Sequence, residues 1–150
     1  MNDMFVEMYR NKIFMTMLSS WIIAQTIKVI IGAITLKRFD FRWFVGTGGM
    51  PSSHTAGASC LATAVGLVHG FDSVYFALAA AFTIVVMFDA QGVRRATGKQ
   101  ARILNKIMDD IYWQGKIKEG RLRELVGHTP IEVIGGFILG VVIALIAFAR

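Results

Sequence analysis

Apolar residues along this chain gather into four long runs, Ile13 to Leu36, Thr55 to Val68, Val74 to Phe88 and Ile131 to Phe148, separated by polar and basic stretches. A helix crossing the hydrocarbon core of a bilayer needs about 20 residues. The first run is long enough alone. The second and third reach that length with their polar ends, so they would stand nearly upright or thin the bilayer. No charged amphipathic face is visible in either, which argues against buried helices of a soluble domain. The pattern predicts an all-α integral membrane bundle of about four transmembrane helices.

The short turn Val68-His69-Gly70-Phe71-Asp72 makes the second and third runs a tight helical hairpin. Small residues crowd both: Ala56, Gly57, Ala58, Ser59, Ala62, Thr63, Ala64 and Gly66 in one, Ala77, Ala79, Ala80, Ala81 and Thr83 in the other. Such residues let helices approach closely in lipid. Gly136 and Gly140 have GxxxG spacing, which fits either packing within one chain or a homodimer. The one long polar stretch, about Arg95 to Leu125, reads as an amphipathic helix (Ala101, Leu104, Ile107, Met108, Ile111). A break near Gly115 and a short basic helix follow. It fits a surface helix at the headgroups, able to hold anionic lipid.

Composition agrees with this picture. Of 150 residues, 55% are hydrophobic, more than a soluble domain carries, and the length suits a single domain over residues 1–150. The first apolar run is too long for a cleaved signal core and reads as a retained anchor. Cys60, the single cysteine, lies within an apolar run and reads as a small packing residue.

The net charge of +6 matters less than its placement. With four spans, the loops at 37–53 and 89–130 share one side and hold 12 of the 16 basic residues. The positive-inside rule puts these loops in the cytoplasm of a multi-pass protein in the plasma (inner) membrane, with both termini outside. Charge that binds phosphate would say less about orientation.

Chemistry concentrates where runs two and four begin. Gly48-Gly49-Met50-Pro51-Ser52-Ser53-His54-Thr55 combines freed backbone, a helix start, hydroxyls and a histidine. A helix start is a ready anion site, and a histidine beside a phosphate can move a proton. The plain alternative is an N-cap by Ser52 or Ser53. Gly127-His128-Thr129-Pro130-Ile131-Glu132 is the second cluster. His128 and Glu132 are four apart and would share a helix face, where the carboxylate fixes the imidazole tautomer. The same residues fit a capping box, with Thr129 at the N-cap, Pro130 at N1 and Glu132 at N3.

Lys28 lies inside the first run on a stripe with Trp21, Gln25, Gly32 and Thr35. An ionisable residue at that depth is a functional candidate, with snorkelling to the interface as the alternative. At the end of run three, Asp89 to Arg95 offers Arg94 or Arg95 as a fork for phosphate oxygens, with Asp89 to pair with one of them. A magnesium site from Asp89 with Asp109 or Asp110 is a further alternative, although their spacing is no recognised metal pattern. His69, in the opposite turn, reads as structural.

These clusters together resemble the type 2 phosphatidic acid phosphatase superfamily, which also holds the vanadium haloperoxidases, and most of all its small divergent membrane branch. Pro51-Ser52-Ser53-His54 stands where the superfamily has Pro-Ser-Gly-His. His128, Glu132, Val133 and Gly135 or Gly136 match its last motif, with Glu for Asp. Asp89 to Arg94 matches the Asp-Ala-x-Gly-Val-Arg stretch of the divergent branch. The first motif, Lys, six residues, Arg-Pro, has no Arg-Pro here; Lys28 corresponds, with Lys37 or Arg38 as alternates. Leu122 stands where the last motif carries arginine, leaving Arg121, Arg123, Arg94 or Arg95 to substitute.

The resemblance implies a metal-independent phosphatase without cofactor. His128 would attack phosphorus and become phosphohistidine, oriented by Glu132. His54 would protonate the leaving alcohol and then activate water. Ser52, Ser53 and basic residues among Lys28, Lys37, Arg38, Arg94, Arg95 and Arg123 would hold the phosphate. The expected substrate is a lipid phosphate of the phosphatidic acid, phosphatidylglycerophosphate or isoprenoid phosphate class. The expected partners are membrane lipids and an anionic phospholipid substrate, not nucleic acid. The alternative is a non-catalytic binder of anionic lipid, or an assembly protein, that keeps the phosphate pocket.

Overall fold

The computed structural model describes residues 2–37, 49–112 and 128–149, with the side chains of 2, 36, 93–95 and 109–112 left aside. These residues form six helices: α1 (Asn2–Arg10), α2 (Lys12–Leu36), α3 (Ser53–His69), α4 (Val74–Gln91), α5 (Val93–Tyr112) and α6 (Pro130–Phe148). The four apolar runs become α2, α3, α4 and α6. The break predicted near Gly115 and the basic helix after it lie outside the described residues.

The centre of the bundle is α3, which packs against α2, α4 and α6. Its small side chains allow this. Ala56, Gly57, Ala58, Ser59, Cys60, Ala62, Ala64 and Gly66 are all buried. One hydroxyl ties α3 to each neighbour, because a lone hydroxyl among apolar helices finds a backbone carbonyl as its nearest acceptor. Ser20 Oγ donates to the Ala56 carbonyl (3.0 Å), Thr83 Oγ1 to the Ala58 carbonyl (2.9 Å) and Ser59 Oγ to the Phe137 carbonyl (3.1 Å). Cys60 is buried beside Ala64 and Ala144, as its position in the run suggests.

Gly136 and Gly140 face α3 within the chain. A side chain at Gly140 would run into Ser59 and Ala56, and one at Gly136 into Ser52. The GxxxG face is therefore taken up by intrachain packing.

Three stretches are long and apolar enough to cross a membrane: Lys12–Thr35, Val74–Met108 (α4 continuing into α5) and Pro130–Phe148. The expected fourth, α3, is 17 residues long and enclosed by the other three. The outward faces of α2, α4 and α6 expose Ile30, Ile34, Leu78, Val85, Phe88, Ile138 and Ile146, a surface suited to lipid rather than water. The chain is a helical membrane protein.

Two local readings change. α1 is a helix that the apolar runs do not announce, since its Phe5 and Tyr9 are exposed. On α2 the inward face is Thr16, Ser20, Ala24, Gln25, Lys28 and Val29, whereas Trp21 is 38% exposed and Thr35 is exposed. The polar stripe read from the sequence thus faces inward at Gln25 and Lys28 only.

Candidate functional site

Alternating helix directions bring the start of α3, the end of α4 and the start of α6 to one end of the bundle. Two backbone hydrogen bonds lock them there. The Ser52 N–H donates to the Glu132 carbonyl (3.0 Å), and the His128 N–H donates to the Ala90 carbonyl (3.1 Å). Three segments far apart in sequence are thereby held in register by main chain alone.

The start of α6 is a complete capping box. Thr129 is the N-cap, Pro130 follows in the first turn, and Glu132 is N3. The Glu132 N–H donates to Thr129 Oγ1 (3.4 Å), and the Thr129 N–H donates to Glu132 Oε2 (2.9 Å). The same oxygen lies 3.1 Å from His128 Nδ1. The cap and the histidine contact, alternatives in the sequence, coexist. His128 reaches Glu132 by a route other than a shared helix face. It precedes the N-cap, and the cap itself turns the carboxylate back toward it.

His128 is 3% exposed. An ionised carboxylate accepts only, so Nδ1 carries the proton and the basic lone pair falls on Nε2. This is the arrangement of an oriented base or nucleophile.

At the start of α3, Ser52 is the N-cap. Its Oγ accepts from the Thr55 N–H (3.4 Å) and from Thr55 Oγ1 (3.0 Å), and the residue is fully buried. The plain N-cap reading therefore describes Ser52. Pro51 precedes the cap instead of opening the helix. His54, in the first turn, is exposed.

Lys28 does not snorkel. It is 8% exposed, and its Nζ donates to Gln25 Oε1 (3.2 Å) and Ser53 Oγ (3.4 Å). Glu132 is the opposite charge acting on it. Gly49, with φ of 85°, makes way for the lysine stem: a Cβ there would lie 3.2 Å from Lys28 Cγ. The helix starts of α3 and α6 add two positive dipole ends. These groups gather positive charge at this end of the bundle, which favours an oxyanion there.

A cavity of about 430 Å³ lies between α2, α3 and α4 and reaches His128. His54, Asp89 and His128 share its lining with apolar residues. The two histidine clusters thus open onto one space.

Other sequence candidates stand elsewhere. Lys37 is exposed at the left-handed end of α2, roughly 13 Å along the helix axis from Lys28. Arg94 and Arg95 lie in the first turn of α5, their side chains outside the described residues, as are Arg38 and Arg123 altogether. Among the described residues no three of His, Cys, Asp and Glu come together to hold a metal ion. His69 packs at a tilt against Tyr75 at the opposite end (ring centroids 5.3 Å, interplanar angle 51°). The sequence places Gln25 on the Lys28 stripe without giving it a role, and the Ala90 carbonyl escapes it. Gln25, three residues before Lys28 on one helix, carried a usable signal; a backbone carbonyl such as that of Ala90 carries none.

Comparison with known sequences gives the family. The family described as the Divergent PAP2 family matches over residues 9–143. The chain is also 40% identical over 152 residues to an uncharacterized membrane protein, YuiD, of Bacillus subtilis (strain 168), covering 94% of this chain and 96% of that protein. No solved structure matches it significantly.

Proposed function

The chain belongs to the divergent PAP2 family, and from that premise we propose that it is a phosphatase acting on a lipid phosphate through a histidine nucleophile. The observation that carries the proposal is the contact of His128 Nδ1 with Glu132 Oε2, at the meeting point of two helix starts and Lys28.

In the first step, His128 Nε2 attacks phosphorus. The N–P bond forms as the P–O bond to the lipid breaks, and protonated His54 gives its proton to the departing oxygen. In the second step, His54 takes a proton from water. The water oxygen bonds to phosphorus, the N–P bond breaks, and inorganic phosphate leaves. Glu132 steadies the imidazolium character that builds on His128. Lys28 and the helix starts offset charge on the phosphoryl oxygens, the main demand of phosphoryl transfer.

A lipid substrate follows from the setting at the ends of membrane helices. The basic loops favour a cytoplasmic site under the positive-inside rule, and with it phosphatidic acid or phosphatidylglycerophosphate as substrate. A second reading, binding of anionic lipid without turnover, draws on Ser52, whose hydroxyl is engaged in the cap.

The test is phosphate release by purified protein from a panel of lipid phosphates with excess EDTA, beside His128→Ala. Release that resists EDTA and disappears in the variant supports the proposal. Release abolished by EDTA contradicts it.

A further inference from the structure

The cavity beneath the histidines is longer than a phosphate needs. It runs from His54, Asp89, Ala90 and His128 at the polar end down to Leu61, Phe82 and Met17. From His54 to Leu61 this is seven residues of α3, roughly 10 Å. Beyond the polar end its walls are almost wholly apolar, and Gly57 and Ala58 make a shallow floor.

The cavity is open on one side. α2 and α4 both pack on α3, but among the described residues they do not pack on each other. The gap between them is edged by Trp21, Phe82 and Val85, which are 38%, 55% and 64% exposed. These edges belong to membrane-spanning helices, so the gap faces hydrocarbon rather than water.

We propose that this gap is a subsite for a single hydrocarbon chain of a phosphate-bearing lipid. The chain lies between Trp21 and Phe82, and its phosphate meets His54 and His128. The assignment rests on the phosphate reading of the polar end. Volume limits the occupant to one chain. A methylene fills about as much space as a water molecule, roughly 30 Å³, so 430 Å³ holds roughly a dozen carbons. A second chain would remain in the bilayer. Selection would therefore act on the chain attached nearest the phosphate, and bulky residues at Gly57 or Val86 would block it.

The test uses Trp21 as reporter, in protein carrying Trp43→Phe and Trp113→Phe, in nanodiscs of unbrominated phosphatidylcholine. The probe is a dodecylphosphonate brominated in mid-chain, whose P–C bond offers no leaving alcohol. The matching brominated alcohol serves as control. The expected result is saturable quenching of Trp21, with the phosphonate binding about tenfold or more tightly than the alcohol. Gly57→Leu and, separately, Val86→Phe should each weaken it about tenfold. Two variants on different helices guard against misfolding of either.

Quenching that rises linearly without saturation, alike for both probes and unaffected by both substitutions, overturns the subsite. Phosphate release by the unmutated protein is read separately. Saturable quenching without phosphate release supports the subsite while the phosphatase reading fails. Release from long-chain lipid with only linear quenching overturns the subsite alone.

Discussion

The Ser52 N–H donates to the Glu132 carbonyl across a 3.0 Å hydrogen bond, joining two motifs 80 residues apart in sequence. The bond exists because Gly136, one turn further along α6, has no side chain to keep α3 away. Helix packing and site assembly are therefore one event.

Gly136→Ala places a methyl group against the Ser52 backbone, which cannot swing aside. Overpacking of this kind costs about 1–3 kcal/mol. The variant should unfold at lower temperature in detergent and lose activity in proportion to the displaced α3 start. Gly135→Ala is the control. Its methyl would press on the flexible end of Met50, at 3.1 Å, and touch Pro51 at an ordinary 4.0 Å, so its unfolding temperature should stay near that of the unmutated protein.

Glu132 performs two tasks that one substitution can divide. Glutamine can still close a capping box, but it carries no charge to orient and stabilise His128. Glu132→Gln should keep its stability within about 0.5 kcal/mol while turnover falls about 100-fold or more, as when a triad carboxylate is neutralised. Glu132→Ala should lose the rate and, in addition, about 1 kcal/mol of stability with the cap. Thermal unfolding beside steady-state kinetics distinguishes the two. Equal activity in Glu132→Gln and the unmutated protein would reduce Glu132 to a cap.

Lys28→Met removes a charge that the fold itself keeps buried at some expense. Its removal takes a donor from Gln25 Oε1 and Ser53 Oγ and a positive charge from beside Glu132, so the variant should unfold at a lower temperature. Inorganic phosphate should inhibit the variant about tenfold more weakly, since a charge-assisted contact is worth about 1.5–3 kcal/mol. Inhibition by phosphate beside a melting curve checks both. Unchanged inhibition would remove Lys28 from the site.

Gly140→Leu tests whether the GxxxG face belongs to the interior. Ser59 and Ala56 fill the space over Gly140, so leucine should disrupt the α3–α6 contact and lower the yield of folded monomer. Light scattering in detergent gives the readout. A folded variant that merely loses a dimer would place this face on the outside.

Much of this was legible in the chain. Apolar runs gave α2, α3, α4 and α6 because helices in lipid must be both long and apolar. The capping box could be read at Thr129-Pro130-Ile131-Glu132, because its chemistry is local. What escaped depends on tertiary approach. Whether Lys28 snorkels or stays inside depends on Gln25 and Ser53 being in reach, and Ser53 belongs to another helix. The Ala90 carbonyl that holds His128 has no side-chain signature. α1 escaped because its apolar residues are too few to form a run. The enclosed position of α3 follows from its small residues only once three partners are known.

The central claim is that His128 carries the phosphoryl group during turnover. The most direct measurement is rapid-quench labelling with a lipid phosphate whose phosphorus is radioactive, using the unmutated protein, His54→Ala and His128→Ala. The account predicts an acid-labile, base-stable phosphoprotein in the first two, lasting longer in His54→Ala because water is poorly activated. It predicts none in His128→Ala. Continued turnover by His128→Ala, or turnover by the unmutated protein with no phosphoprotein at any time, would contradict it.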